Sequence, residues 1–172
     1  MELEPLQEMQ FRHDMLDKDL TETVIFEDYF NSIKADLIVS VSKTASIANH
    51  FSLENLNKEA FNDSETKQLL LDSATDNLSK ILRMANLFQT HLDSEPCINH
   101  RYMVMGVSLN VKKSLNVDFC NLVESISDLR IDYLLMSDNS INFVISELIS
   151  YLNNFDITFG SLLSEYTKKY QL

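Results

Sequence analysis

The sequence predicts a helix-dominated α+β fold, in which a long antiparallel helical hairpin precedes a small α/β unit. Apolar residues recur at helical spacing through the first half of the chain, Pro96 ends that pattern, and apolar residues alternate with others soon after it. Hydrophobic residues form 45% of the 172-residue chain, which is enough for a packed core. We therefore divide the chain into an N-terminal arm (residues 1–22), a hairpin (residues 23–95) and an α/β unit (residues 96–172).

The arm and the first hairpin helix differ in pattern. Residues 1–22 are rich in charge and weakly periodic, which predicts a loose arm or a short helix. In residues 23–51 the apolar positions follow one another in steps of three or four, the spacing of an amphipathic helix. They are Phe26, Phe30, Ile33, Leu37, Val41, Ala45, Ala48 and Phe51. Ile38, Val39 and Ile47 widen this apolar face, so we expect cover on more than one side, for instance from a second copy of the chain.

The second hairpin helix follows a polar link, residues 52–63. Asn62 can cap its start, and Glu65 lies three residues further on, as in a capping box. The apolar residues then alternate steps of four and three, almost as a heptad. They are Leu70, Ala74, Leu78, Ile81, Ala85, Phe88 and Leu92. Because two helices of similar length joined by a short link pack antiparallel most easily, residues 26–92 predict a helical hairpin.

The last part of the chain predicts strands as well as helices. Alternating or short apolar runs suit strands at residues 103–111, 131–136 and 157–159. Helices are predicted after Asp118, which can act as a cap, and over residues 141–152. Because these lengths are ordinary for strands and helices, residues 96–172 predict a small α/β unit.

Composition and charge exclude several classes of function. With a formal net charge of -12 and a pI of about 4.6, the surface would repel nucleic acid and anionic membranes. It suits a protein partner with a basic patch, or simply a soluble surface.

The start, Met-Glu-Leu-Glu-Pro, lacks the basic and apolar segments of an export signal, and no apolar run approaches the roughly 20 residues of a membrane span. We therefore expect a cytoplasmic protein in which Cys97 and Cys120 are reduced thiols.

No motif for catalysis or cofactor binding is present in the sequence. It has no GxSxG, P-loop, HExxH or Gly-rich dinucleotide turn, and only 2 glycines. The four histidines (His13, His50, His91 and His100) do not show metal-ligand spacing, and neither cysteine has a CxxC partner. We therefore predict no metal and no cofactor, and we expect each histidine to lie on the surface or at a helix end.

Four segments and their order resemble a known family. Residues 33–41 are similar to the segment around a phospho-acceptor histidine, and residues 69–85 are similar to the second helix of a dimerisation hairpin. Residues 116–123 are similar to the first helix of a histidine-kinase ATP-binding domain, and residues 133–149 to a later strand and helix of it. With a hairpin followed by an α/β unit, the chain resembles the ChpT-type histidine phosphotransferases, which keep both parts but have lost ATP binding.

The resemblance implies a cytoplasmic homodimer whose hairpins form a four-helix bundle and dock a response-regulator receiver domain in a two-component phosphorelay. The implied docking residues are Lys34, Ala35, Asp36, Val39 and Ser40. The acceptor histidine falls on Ala35, and alanine cannot carry a phosphoryl group. The resemblance therefore implies docking without phosphoryl transfer, and it leaves open whether the chain is an enzyme.

Other positions bear on the same resemblance. His50, further along the first hairpin helix, is a rival acceptor. Glu147 stands where kinases carry an asparagine, and two glycines cannot build a nucleotide lid, so no ATP-dependent kinase activity is expected. The alternative function is a helical protein-interaction scaffold with no role in a phosphorelay.

Overall fold

The computed structural model describes residues 3–16, 26–48, 64–92, 115–134 and 139–170. All regular secondary structure in these ranges is helical, and no strand lies in them. The helices are α1 (Leu3–Leu16), α2 (Phe26–Ile47), α3 (Ser64–Phe88), α4 (Leu115–Ser127), α5 (Ile131–Leu134), α6 (Ser140–Asn153) and α7 (Phe159–Tyr170). The prediction of a small, kinase-like α/β unit is therefore wrong for the part of the chain that the structure describes.

The two long helices α2 and α3 lie antiparallel. Near one end, the rings of Phe30 and Phe88 meet edge to face with their centroids 5.4 Å apart. In the middle, Lys80 forms an ion pair with Asp36. Towards the other end, the hydroxyl oxygens of Thr44 and Ser73 are 2.7 Å apart. Residue numbers rise along one helix as they fall along the other, so residues 26–92 contain the antiparallel pair that the periodicity predicts.

α3 is the central helix, because α1, α2, α6 and α7 all pack against it. Its buried residues are mainly aliphatic and are spread widely around the helix: Leu70, Ala74, Thr75, Asn77, Leu78, Ser79, Ile81, Leu82, Met84 and Ala85. The other hairpin helix, α2, is covered by α4, which also packs against α6. Helices of the same chain thus supply the wide cover of the hairpin, and homodimerisation stays a prediction.

Residues 131–136 begin with the short helix α5, not with a strand. Before it, the amide of Leu129 donates to the carbonyl oxygen of Ile126 at 3.2 Å, which closes the end of α4. The side chain of Ile131 is partly buried and packs against the core. Because a short apolar run fits a buried strand and a buried helical turn equally well, only packing could decide between them.

Residues 157–159 form a corner between two helices, although they were expected to form a strand. Asp156 has a φ of 55°, and the amide of the next residue donates to the carbonyl oxygen of Leu152 at 3.3 Å, which ends α6 in a left-handed turn. Thr158 then caps α7, since its Oγ1 accepts a hydrogen bond from the amide of Ser161 at 3.1 Å. The apolar residue before this cap therefore follows the end of α6, and the apolar residue after it starts α7. The predicted strand over residues 103–111 lies outside the described residues.

The helices predicted after Asp118 and over residues 141–152 are confirmed by α4 and α6. α4 starts at Leu115, so Asp118 lies in its first turn and not at its cap. The side chain of Asp118 is buried, and its Oδ2 accepts a hydrogen bond from Nδ2 of Asn154 at 2.9 Å. This bond joins the start of α4 to the end of α6 and fixes the two helices side by side.

Candidate functional site

One side of α2 faces solvent along most of the helix. We define the outer face of α2 by its exposed residues Ser32, Ala35, Asp36, Val39 and Lys43, which follow the helical repeat. Val39, in the middle of the helix, is 51% exposed and is the one large aliphatic residue among these five. Asp36 is also exposed, although it is paired with Lys80 of α3. The outer face thus has an apolar centre with charged groups on either side of it.

Three of the five predicted docking residues lie on this face, and two do not. Lys34 reaches across to the end of α4, where its Nζ donates to the carbonyl oxygens of Ser127 at 2.5 Å and Leu129 at 2.9 Å. Burial lowers the pKa of Lys34, and nearby Asp128 opposes this shift. Ser40 is buried, with 8% of its surface exposed. Lys34 therefore stabilises a helix C-terminus, and Ser40 belongs to the interior.

The histidines do not form a common site within the described residues. On α1, Nδ1 of His13 is 3.9 Å from a carboxylate oxygen of Asp14, and its ring meets that of Tyr170 edge on, with centroids 5.4 Å apart. His91 is exposed just beyond the end of α3, while His50 and His100 lie outside the described residues. Of the cysteines, Cys120 is an exposed free thiol, and Cys97 lies outside the described residues. Among the residues that the structure describes, no group of His, Cys, Asp or Glu could hold a metal ion.

A buried polar contact joins α2 to α3. The hydroxyl of Thr44 donates to the carbonyl oxygen of Ser40 at 3.1 Å, so it can only accept from its other neighbours. It accepts from Nδ2 of Asn77 at 2.8 Å, and Ser73 donates to it at 2.7 Å. Thr44 and Asn77 are fully buried. Because these hydrogen bonds form only when the partners lie opposite each other, the contact specifies how α2 is aligned along α3.

A larger polar cluster lies where α1, α3 and α7 meet, and sequence reasoning missed it. We define the polar cluster by Gln10, Asp14, Ser79, Arg83 and Tyr166. The side-chain oxygen of Gln10 accepts from Ser79 at 2.7 Å and from the phenol of Tyr166 at 2.6 Å. Its amide nitrogen donates to Asp14 Oδ1 at 2.7 Å, and Arg83 donates two hydrogen bonds to the same oxygen, at 2.8 and 3.1 Å.

The polar cluster is closed rather than open to a substrate. Gln10 is fully buried, and burial raises the pKa of the Tyr166 phenol above its usual value. The donors and acceptors in the cluster satisfy one another, and they come from three separate helices. The cluster therefore holds α1 and α7 on α3. One signal in the sequence could have shown that Gln10 and Asp14 are buried, though not what they contact: they continue the stripe of Leu3 and Leu6 at helical spacing.

Comparisons of the chain with protein-family models, with curated proteins and with solved structures gave no match. Among the described helices, none combines the length and the apolar character needed to cross a membrane. The function of the chain must therefore be argued from its own surfaces, and the outer face of α2 is the one on which sequence reasoning and structure coincide.

Proposed function

We propose that this chain is a helical protein-interaction module, whose docking surface is the outer face of α2. The observation that carries the proposal is the exposure of Val39, 51%, at the centre of that face. Residues of α2 on the other sides, such as Leu37 and Val41, are buried against neighbouring helices. A partner that covers Val39 would remove apolar surface from water, which favours association.

The charge of the chain indicates what the partner looks like. A net charge of -12 attracts a basic surface over a distance of about one Debye length and speeds the encounter with it. On the outer face itself the charges are mixed, because Asp36, which pairs with Lys80, lies on one side of Val39 and Lys43 lies on the other. We therefore expect a partner with an apolar spot and a basic surface overall, and with binding that weakens as salt is added.

Replacement of Val39 tests this proposal. We expect Val39→Asp to weaken binding of the partner at least about tenfold, because it places a charge at the centre of the interface. The partner is first identified with a photo-crosslinking residue at position 39, and its affinity for the purified variants is then measured by calorimetry. Val117→Asp is the matched control, because Val117 is a valine with similar exposure (47%) on α4. Equal crosslinking from positions 39 and 117, or equal affinity of the two variants, would falsify the proposal.

Docking of a response-regulator receiver domain is a second candidate function. The observation in its favour is that Ala35, Asp36 and Val39 share one exposed face of a hairpin helix. Lys34 and Ser40 do not contribute to that face, and no α/β domain is present in the described residues. Support for this candidate therefore comes from the hairpin alone.

An acceptor histidine introduced at position 35 tests the second candidate. We expect Ala35→His to take up an acid-labile phosphoryl group from a phosphorylated receiver domain, and the wild-type chain to take up none at this face, because the imidazole at position 35 offers a nucleophilic nitrogen that alanine lacks. Incubation with a panel of radiolabelled receiver domains, followed by electrophoresis, measures the transfer. Ala35→Gln is the control, since it adds a polar side chain without a nucleophile. An unlabelled Ala35→His would count against a receiver as partner, and a labelled wild-type chain would contradict the assignment of Ala35.

A further inference from the structure

The first helix is attached to the rest of the molecule by both apolar and polar contacts. In the N-terminal arm, residues 3–16 form α1, which packs on α3 and α7. Its buried stripe starts with two leucines, Leu3 and Leu6, and continues with Gln10 and Asp14. About half of that stripe is therefore polar, whereas the buried face of α3 is mainly aliphatic. α1 thus gains less than α3 from the hydrophobic effect when it packs.

The surface beneath α1 is polar at the matching positions. Ser79 and Arg83 of α3 and Tyr166 of α7 receive Gln10 and Asp14. When α1 leaves, water can replace these hydrogen bonds, so the net contribution of each one to holding α1 is much smaller than its strength in isolation. The guanidinium of Arg83 is already 32% exposed at its side chain with α1 in place. The groove between α3 and α7, which α1 fills, can therefore open without exposing a wholly apolar surface.

The walls of the groove are joined by contacts that do not involve α1. Lys169 of α7 lies 2.8 Å from carboxylate oxygens of both Asp72 and Asp76 on α3. Partial burial acts to lower the pKa of Lys169, but hydrogen bonds to these two carboxylates raise it above its usual value. The phenol of Tyr170 also donates to Asp76 at 3.0 Å. Departure of α1 therefore leaves α7 attached to α3 and the groove in place.

We propose that α1 is a reversible cover, and that the groove between α3 and α7 is a docking site for an amphipathic helix of a partner protein. The contacts of α1 define the partner helix: two leucines three residues apart, an amide four residues later, and a carboxylate four residues after that. The amide meets Ser79 and Tyr166, and the carboxylate meets Arg83. This site lies on a different surface from the outer face of α2, so it is independent of the function proposed above.

Hydrogen exchange of the full wild-type chain tests the opening of α1. We expect the amides of α1 to exchange at least about tenfold faster than the core amides of α3, since local opening requires less free energy than global unfolding. Exchange of α1 and α3 at one common rate would overturn the proposal, because it would show that α1 leaves only when the whole chain unfolds.

Binding of a separate α1 peptide tests the groove. A fluorescent peptide of residues 1–16 is titrated into full-length Leu6→Asp, in which the chain's own α1 is weakened, and into the wild type. We expect Leu6→Asp to bind the peptide at least about tenfold more tightly, because in the wild type the tethered α1 competes at an effective concentration of about millimolar. A folded Leu6→Asp that binds no more tightly than the wild type would overturn the proposal.

Two peptide variants with the same change of charge serve as matched controls. We expect Asp14→Lys to abolish binding, because Asp14 meets Arg83, and Glu8→Lys to leave it within about twofold, because Glu8 is exposed on α1. Equal loss with both would show non-specific charge attraction and would overturn the assigned pattern. If circular dichroism shows Leu6→Asp to be unfolded, the milder Leu6→Ala replaces it in the titration, and the same two outcomes apply.

Discussion

Truncation of Leu78 to alanine is expected to lower the free energy of unfolding by about 3 kcal/mol, because it leaves a cavity in the core beside the central helix. Leu78 is fully buried on α3, and α3 is the helix against which α1, α2, α6 and α7 pack. Loss of its side chain therefore removes contacts at the centre of the bundle, where neighbours on several sides limit relaxation. Urea unfolding followed by circular dichroism measures the change.

Leu69→Ala is the matched control on the same helix. Leu69 is 53% exposed, so the same chemical change removes little buried surface, and we expect a loss below about 0.5 kcal/mol. If the two variants lost equal stability, α3 would not hold the central position described above. A large loss from Leu69→Ala alone would instead show that the start of α3 is covered in solution, for example by a second copy of the chain.

A rise of pH above 10 is expected to unfold the protein, because buried tyrosines ionise in the unfolded chain before they ionise in the folded one. Burial raises the pKa of Tyr151 and of Tyr166 above the ordinary value of 10.0. A group whose pKa is raised by folding contributes its full stability at any pH below its pKa in the unfolded chain. This contribution falls as the pH rises from that pKa through the pKa in the folded chain. Each phenol should therefore lower the stability by up to about 1.4 kcal/mol per pH unit above 10.

Thermal melts between pH 8 and pH 12, combined with tyrosinate absorbance, measure this effect. We expect the absorbance of the buried phenols to appear together with the loss of helical signal, and Tyr166→Phe to make the decline with pH shallower. At neutral pH the same variant should lose only about 1 kcal/mol, from the hydrogen bond to Gln10. Ionisation of all 6 tyrosines near pH 10, with the helices intact, would contradict the burial of these two rings.

Long periodic segments were predictable from the sequence. In α2 and α3 the apolar residues repeat in steps of three or four over 22 and 25 residues. A pattern of that length matches a helix and nothing else. The outer face of α2 was only partly predictable, because the helical repeat places Ala35, Asp36 and Val39 on one side but does not show what neighbouring helices cover. Lys34 and Ser40 were also expected on it because the family resemblance implied them, and only the packing of the helices shows that they lie elsewhere.

Short segments and distant contacts were not predictable from one sequence. Residues 131–136 and 157–159 are too short for their period to separate a strand from a helical turn, and the resemblance to a kinase-like unit depended on strands there. The polar cluster joins Gln10 to Tyr166 across 156 residues. No local pattern reports a hydrogen bond between side chains so far apart in the chain.

The sequence by itself determined the two long helices, their antiparallel pairing and the acidic charge, because these follow from local spacing and from composition. Only the tertiary structure decided that all regular secondary structure in the described residues is helical, and that α1 and α7 meet on α3. The physical reason is that short apolar runs and single polar residues acquire their conformation and their partners from packing. Ile157 is an example: its burial at a helix end, not its alternation with Phe159, settles its conformation.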